Sequence, residues 1–140
     1  MSIVLGYDES PGARRALELS LDLAGRLGEP LVLVFGAAPP GASVGEEAGE
    51  HYQAIAEMGR GAAAEAVRVA EAAGVETVVE VLPRKPVDAL LEAADRHDAR
   101  VIVVGTNGEA PLRGAILGSV PHKLLHLSAR PVLCVPAAEG

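Results

Sequence analysis

Apolar and polar positions along this chain follow two alternating rhythms. Five short, mostly apolar runs, SIVLGY, PLVLVFG, ETVVEVL, ARVIVVG and RPVLCVP, read as strands covered on both faces. Between them apolar residues recur at helical spacing. Leu17, Leu21, Ala24 and Leu27 form the first such stripe; Ile55, Met58, Ala62, Ala66 and Val69 form the second, within an alanine-rich stretch from Glu46 to Ala73. KPVDALLEAADRHD and SVPHKLLHLS supply two more helices. Helix punctuation agrees with these limits: Ser10 stands as an N-cap, Pro11 suits the first helical position, and Gly28 and Gly74 stand where helices stop.

The predicted order is β-α-β-α-β-α-β-α-β. Parallel neighbours need long crossovers, so this alternation predicts an α/β fold: a single doubly wound domain over 1–140, with a five-stranded parallel sheet and helices on both faces. AAPPGASVGEEAGE, over 37–50, has no clean period and reads as a loop. In open sheets of this kind ligands lie outside the carboxyl ends of the strands, where strand order reverses. That rule nominates GYDES after the first strand, FGAAPP after the second and GTNGEAPLRGAILGS after the fourth.

Composition narrows the field. With 49% hydrophobic and 22% charged residues, the chain is globular. The formal charge is −7, from 12 basic and 19 acidic residues, with no Lys/Arg cluster. The electrostatic footprint of a nucleic-acid binder is therefore missing, and one Phe, two Tyr and no Trp offer no stacking platform for single strands. No apolar run approaches the ~20 residues that cross a bilayer. MSIVLGYDES carries no signal-peptide pattern, so the expectation is a cytoplasmic protein without membrane contact. Cys134, the single cysteine, lies in an apolar strand and reads as a small buried hydrophobe.

An acidic protein can still hold a polyanion if backbone donors do the work. Glycine at a strand end is commonplace, and sixteen glycines make an accidental G-x-x-G easy to find. Context adds weight. Gly118-Ser119 stands immediately before a predicted helix, whose first turn offers unpaired N–H groups and the positive end of the macrodipole. Gly105 and Gly108 are expected to bring a second set of free N–H groups just past the fourth strand. Neither a P-loop nor a G-x-G-x-x-G after the first strand is present. Asp8 reads as a helix cap or as a sugar-hydroxyl acceptor, Ser10 mainly as a cap, and Ser119 as both cap and phosphate donor. Of the four histidines, only His122 and His126 are spaced to meet, one helical turn apart; they read as a solvated face, with approach of His122 to a terminal phosphate as the alternative. Lys123 and Arg113 are the cations nearest the glycine loop.

Gly105-x2-Gly108-x9-Gly118-Ser119, followed by Val120, resembles the nucleotide-binding signature of the ATP-binding universal stress proteins. IVLGYDES, PLVLVFG, ARVIVVGTNG and SARPVLCVP are similar to that family's first, second, fourth and closing strands, so the resemblance runs the whole chain. It implies a Rossmann-like sheet of the adenine nucleotide alpha hydrolase type, with ATP, ADP or AMP at the carboxyl edge. Carried over by position, Asp8, with Gly6 and Tyr7 beside it, would lie by the ribose or adenine. Backbone at Gly36, with Phe35, would meet the adenine edge. Val104, Gly105, Thr106, Asn107 and Gly108 would flank the ribose and α-phosphate, and Gly118, Ser119 and Val120 would hold the outer phosphates. Mg²⁺ or Mn²⁺ would accompany the phosphates. The resemblance also implies a homodimer through the last strand, Pro131 to Pro136, and a regulatory protein partner. The residues offer no convincing base for water, so the expected activity is nucleotide binding in a stress response, with slow ATP hydrolysis or a nucleotide-independent dimeric module as alternatives.

Overall fold

A computed structural model of the chain describes residues 1–7, 11–36, 57, 60–61, 63–106 and 119–137. Five strands form one sheet: β1 (Ser2–Gly6), β2 (Leu31–Gly36), β3 (Thr77–Leu82), β4 (Ala99–Thr106) and β5 (Val132–Pro136). The helices among the described residues are α1 (Pro11–Leu27), α2 (63–72), α3 (Pro86–Arg96) and α4 (Ser119–Leu127). All pairings are parallel and the order is β3-β2-β1-β4-β5. The chain thus winds outward from β1 to β3 and then crosses back to β4, which puts the topological switch between β1 and β4. This is the doubly wound α/β fold that the alternation predicts.

The apolar runs are continuous because both faces of each central strand are covered. Ile3, Leu5, Leu31, Leu33 and Val103 face one side, where they pack with Ala13, Ala16, Leu17, Leu21 and Ala24 of α1 and Ala66 and Ala70 of α2. Val4, Val32, Val34, Ile102 and Val104 face the other, against Val87, Leu90, Ala93 and Ala94 of α3 and Leu124 of α4. Alanine dominates the buried helix stripes, which lets the helices lie close on the sheet. The outer strands are less covered: Val78 and Val79 of β3 are 37% and 38% exposed.

The helix limits follow the expected punctuation. α1 begins at Pro11 and ends before Gly28, and α2 ends before Gly74. These two glycines have φ of 66° and 73°, the left-handed conformation that closes a helix. α3 starts with Pro86 in its first turn after Lys85, with Asp88 toward its positive end and Arg96 toward its negative end.

Two expected core positions are corrected. Leu27 is 45% exposed, because the stripe of α1 that meets the sheet ends at Ala24. Val69 is 41% exposed, because α2 buries Ala63, Ala66 and Ala70, and Val69 flanks that line. The expected positions Ile55, Met58 and Ala62, like the 37–50 loop, lie outside the described residues.

Candidate functional site

Parallel strands bring their carboxyl ends to one edge, and here that edge collects most of the described candidates. Gly6 ends β1 and is paired with Val104; Phe35 and Gly36 end β2; Gly105 and Thr106 end β4. α4 leads back to the start of β5, so it runs against the strands, and its first residues, Ser119 and Val120, lie toward the same edge. The starts of α1 and α3 are there too, because Gly12 touches the end of β4 and Pro86 touches Gly36. Three helix N-termini therefore supply positive dipole ends to this edge of an acidic protein.

The individual candidates differ in what they can offer. Tyr7 is buried in the core beside α1, donates its backbone N–H to the Val34 carbonyl (3.3 Å) and meets the Phe35 ring edge-on with centroids 6.1 Å apart. Tyr7 is the buried member of this pair and Phe35 the partly exposed one. Val104 sends its side chain into the core on the α3 side, so only its backbone faces the edge. Ser119 is exposed, and Val120 leans on the α3/α4 core. Asp8, Asn107, Gly108 and Gly118 lie outside the described residues, as do Ser10 and Arg113.

Two of the glycines are required by packing. A Cβ on Gly36 would stand 2.8 Å from the Arg84 carbonyl oxygen and from the Pro86 Cα. The connection between β3 and α3 therefore closes over the end of β2 only because position 36 has no side chain. Gly105 lies within β4, not past it as the spacing suggests, and is opposite Val135 of β5. Its Cα faces the first turn of α1, with Gly12 directly across. Sequence reasoning passed over Gly12. A glycine inside a helix is no distinctive signal, since Gly25 and Gly61 are helical as well and have open space where a Cβ would stand.

Charge around the rest of the sheet is structural. Arg15 donates to the Pro136 carbonyl (3.1 Å) and ties α1 to the end of β5. Glu80 of β3 accepts from Arg96 and lies 3.1 Å from the His97 ring nitrogen, fastening α3 to the edge strand. Arg100 grips Glu29 with contacts of 2.5–3.0 Å across the amino end of β1, and this holds the Glu29 carboxyl below its ordinary range. Burial pushes the Cys134 thiol up, which keeps it protonated. Among the described residues no group of three or more His, Cys, Asp or Glu side chains is arranged to hold a metal ion.

A doubly wound sheet with a glycine-lined switch point defines the class. The model of the universal stress protein family matches residues 1–136, and the chain belongs to that family. It is 33% identical over 138 residues to "Universal stress protein in QAH/OAS sulfhydrylase 3′region" of Thermus aquaticus, covering 96% of this chain and 97% of that one. It is also 33% identical to universal stress protein MJ0531 of Methanocaldococcus jannaschii, where the match spans 58% of this chain and about half (48%) of the relative. Among solved structures, a universal stress protein in complex with cAMP superposes with a TM-score of 0.71 at 29% identity, covering 99% and 98% of the two chains. The Archaeoglobus fulgidus universal stress protein in complex with dAMP superposes with a TM-score of 0.73 at 25% identity, covering 96% and 97%. Among the described residues no helix is long and apolar enough to cross a membrane.

Proposed function

We propose that this chain is a cytoplasmic, ATP-binding regulatory protein of the stress response, holding its nucleotide at the carboxyl edge of the sheet. The observation that carries this reading is the convergence at the carboxyl edge of the sheet of the glycines that end the strands, Gly6 and Gly105 flanking the β1/β4 switch and Gly36 on β2 beside it, with the starts of α1, α3 and α4. This is anion-binding chemistry built from backbone donors, suited to phosphate without a basic surface. The similar structures that carry dAMP and cAMP support an adenine nucleotide as the ligand class.

Within this reading the backbone at Gly36 and the partly exposed Phe35 serve the adenine. Asp8 takes a ribose hydroxyl, with Gly6 and Tyr7 behind it. Val104 to Gly108 flank the ribose and first phosphate, and Gly118, Ser119 and Val120 hold the outer phosphates at the start of α4. Mg²⁺ or Mn²⁺ rides on the phosphate oxygens, as hard ions commonly do in nucleotide sites. The protein acts as a single domain and as a homodimer through β5, and nucleotide occupancy sets its choice of a regulatory partner.

The test is to denature the purified protein, identify any released nucleotide, and titrate the nucleotide-free protein with ATP, ADP, AMP and cAMP in the presence of Mg²⁺. ATP is expected to bind, and Gly118→Val, which adds bulk immediately before the first residue of α4, is expected to weaken it. Absence of binding at millimolar ATP overturns the reading. Steady ADP release by the wild type that Gly118→Val abolishes would replace a binder with a slow ATPase.

A further inference from the structure

The nucleotide reading leaves one side-chain pair unused. His122 and His126 stand one turn apart on α4, both exposed, with ring centroids 4.7 Å apart and planes at 73°. Side chains at i and i+4 on a helix share a face, so the backbone keeps the two rings within reach of each other, while their side-chain rotamers set the separation and angle. Two imidazoles that share one tetrahedral ion, with metal–nitrogen bonds of about 2.1 Å, have ring centroids about 5 Å apart. The observed pair, packed edge to face, is close to that separation, so a rotation of the exposed side chains brings a nitrogen of each ring to one ion.

We propose that His122 and His126 form a two-nitrogen chelate for a divalent transition ion of the Zn²⁺, Ni²⁺ or Cu²⁺ kind. Imidazole is the ligand type these ions favour, with Cu²⁺ bound most tightly and Zn²⁺ and Ni²⁺ below it. His126 lies in the last turn of α4, where the negative end of the helix dipole favours a cation. Lys123, also exposed on α4, is the charge that opposes binding. No third His, Cys, Asp or Glu joins the pair among the described residues, so water completes the coordination and the ion exchanges freely. The site is distinct from the hard Mg²⁺ or Mn²⁺ that would ride on phosphates, and it does not depend on nucleotide.

Titration of the nucleotide-free full chain with NiCl₂, followed by calorimetry, tests this directly. One ion per chain is expected to bind to the wild type. His122→Asn and His126→Asn should each weaken binding at least about tenfold, the loss that even an outer-shell change brings to a metal site. His97→Asn, which alters the histidine bonded to Glu80, should leave the affinity unchanged. Because both rings of the pair are exposed, the variants should keep the wild-type circular dichroism. The proposal is overturned if the wild type and the His122→Asn/His126→Asn double variant bind Ni²⁺ equally, or if the wild type binds none.

Discussion

The backbones of Gly12 and Gly105 are in direct contact: a Cβ built on Gly105 would stand 2.3 Å from the carbonyl carbon of Gly12. The constraint is mutual, since a Cβ on Gly12 would stand 2.3 Å from the Thr106 carbonyl oxygen. The first turn of α1 thus lies against the end of β4 with no side chain between them. Gly105→Ala or Gly12→Ala must push α1 off the sheet, at a cost of about 2 kcal/mol or more, at or above the usual range for overpacking. Urea unfolding of both single variants and the double variant checks this. Once one alanine has displaced the helix, the second has less left to break, so the double variant should lose clearly less than the sum of the two. Strict additivity would mean that the two positions do not share one contact.

That contact explains what was legible in the sequence and what was not. Strand runs and helix stops could be read because each depends on local pattern: Val4 beside Leu5 requires cover on both faces, and Gly28 supplies a left-handed residue. The spacing of Gly105 to Gly108 is visible in the sequence, but its partner is Gly12, ninety-three residues earlier in the chain. No local pattern carries that information. Gly36 is similar, because the atoms that forbid a side chain there belong to Arg84 and Pro86. Leu27 is exposed for the converse reason. Its helical spacing is right, but where the sheet ends beneath α1 is a tertiary fact.

Ser20 offers a gain in stability. It is fully buried on α1, and its hydroxyl is the one buried side-chain oxygen or nitrogen without a hydrogen-bond partner among the described residues. Its desolvation is uncompensated in the folded state, while the unfolded chain hydrates it. Ser20→Ala should therefore stabilise the protein by about 1 kcal/mol, with helix propensity acting in the same direction. A higher midpoint with an unchanged denaturant slope is the expected result. A destabilised variant would reveal a role for the hydroxyl in this core.

The Glu29–Arg100 pair sets part of the acid limb of stability. Arg100 lowers the Glu29 carboxyl in the folded state, chiefly by hydrogen bonding to it. A depressed carboxylate contributes stability that is fully present above its ordinary, unfolded-state value and is lost as pH falls through the folded-state value. Arg100→Gln should remove that contribution, so wild type and variant should differ at neutral pH and converge in strong acid. The difference should also shrink in high salt, because the pair lies at the surface. Thermal melts across the acid range at two salt concentrations measure both effects. A variant gap that persists unchanged into strong acid would show that packing, and not ionisation, makes the difference.

The open edge of β5 permits a sharp test of dimerisation. Ile102 donates to the Pro131 carbonyl and is paired with Val132, so by the alternation of a parallel ladder the amide groups of Val132 and Cys134 point away from β4. Among the described residues no strand pairs with them, and they lie beside a groove of about 410 Å³ that Leu19, Arg15 and Leu133 help to line. An exposed row of this kind invites pairing with a second copy. Cys134→Pro removes one outward N–H and leaves the β4 ladder bonds in place, and proline is tolerated on edge strands. The wild type should sediment as a dimer at tens of micromolar, an ordinary range for such assemblies. The variant should be monomeric with the same circular dichroism. If the variant stays dimeric, the interface lies elsewhere, with the exposed Val78 and Val79 on β3 as the alternative edge. If the wild type is already a monomer, dimerisation through β5 is overturned, and that strand is held by its ladder to β4 with Arg15 fastening its end to α1.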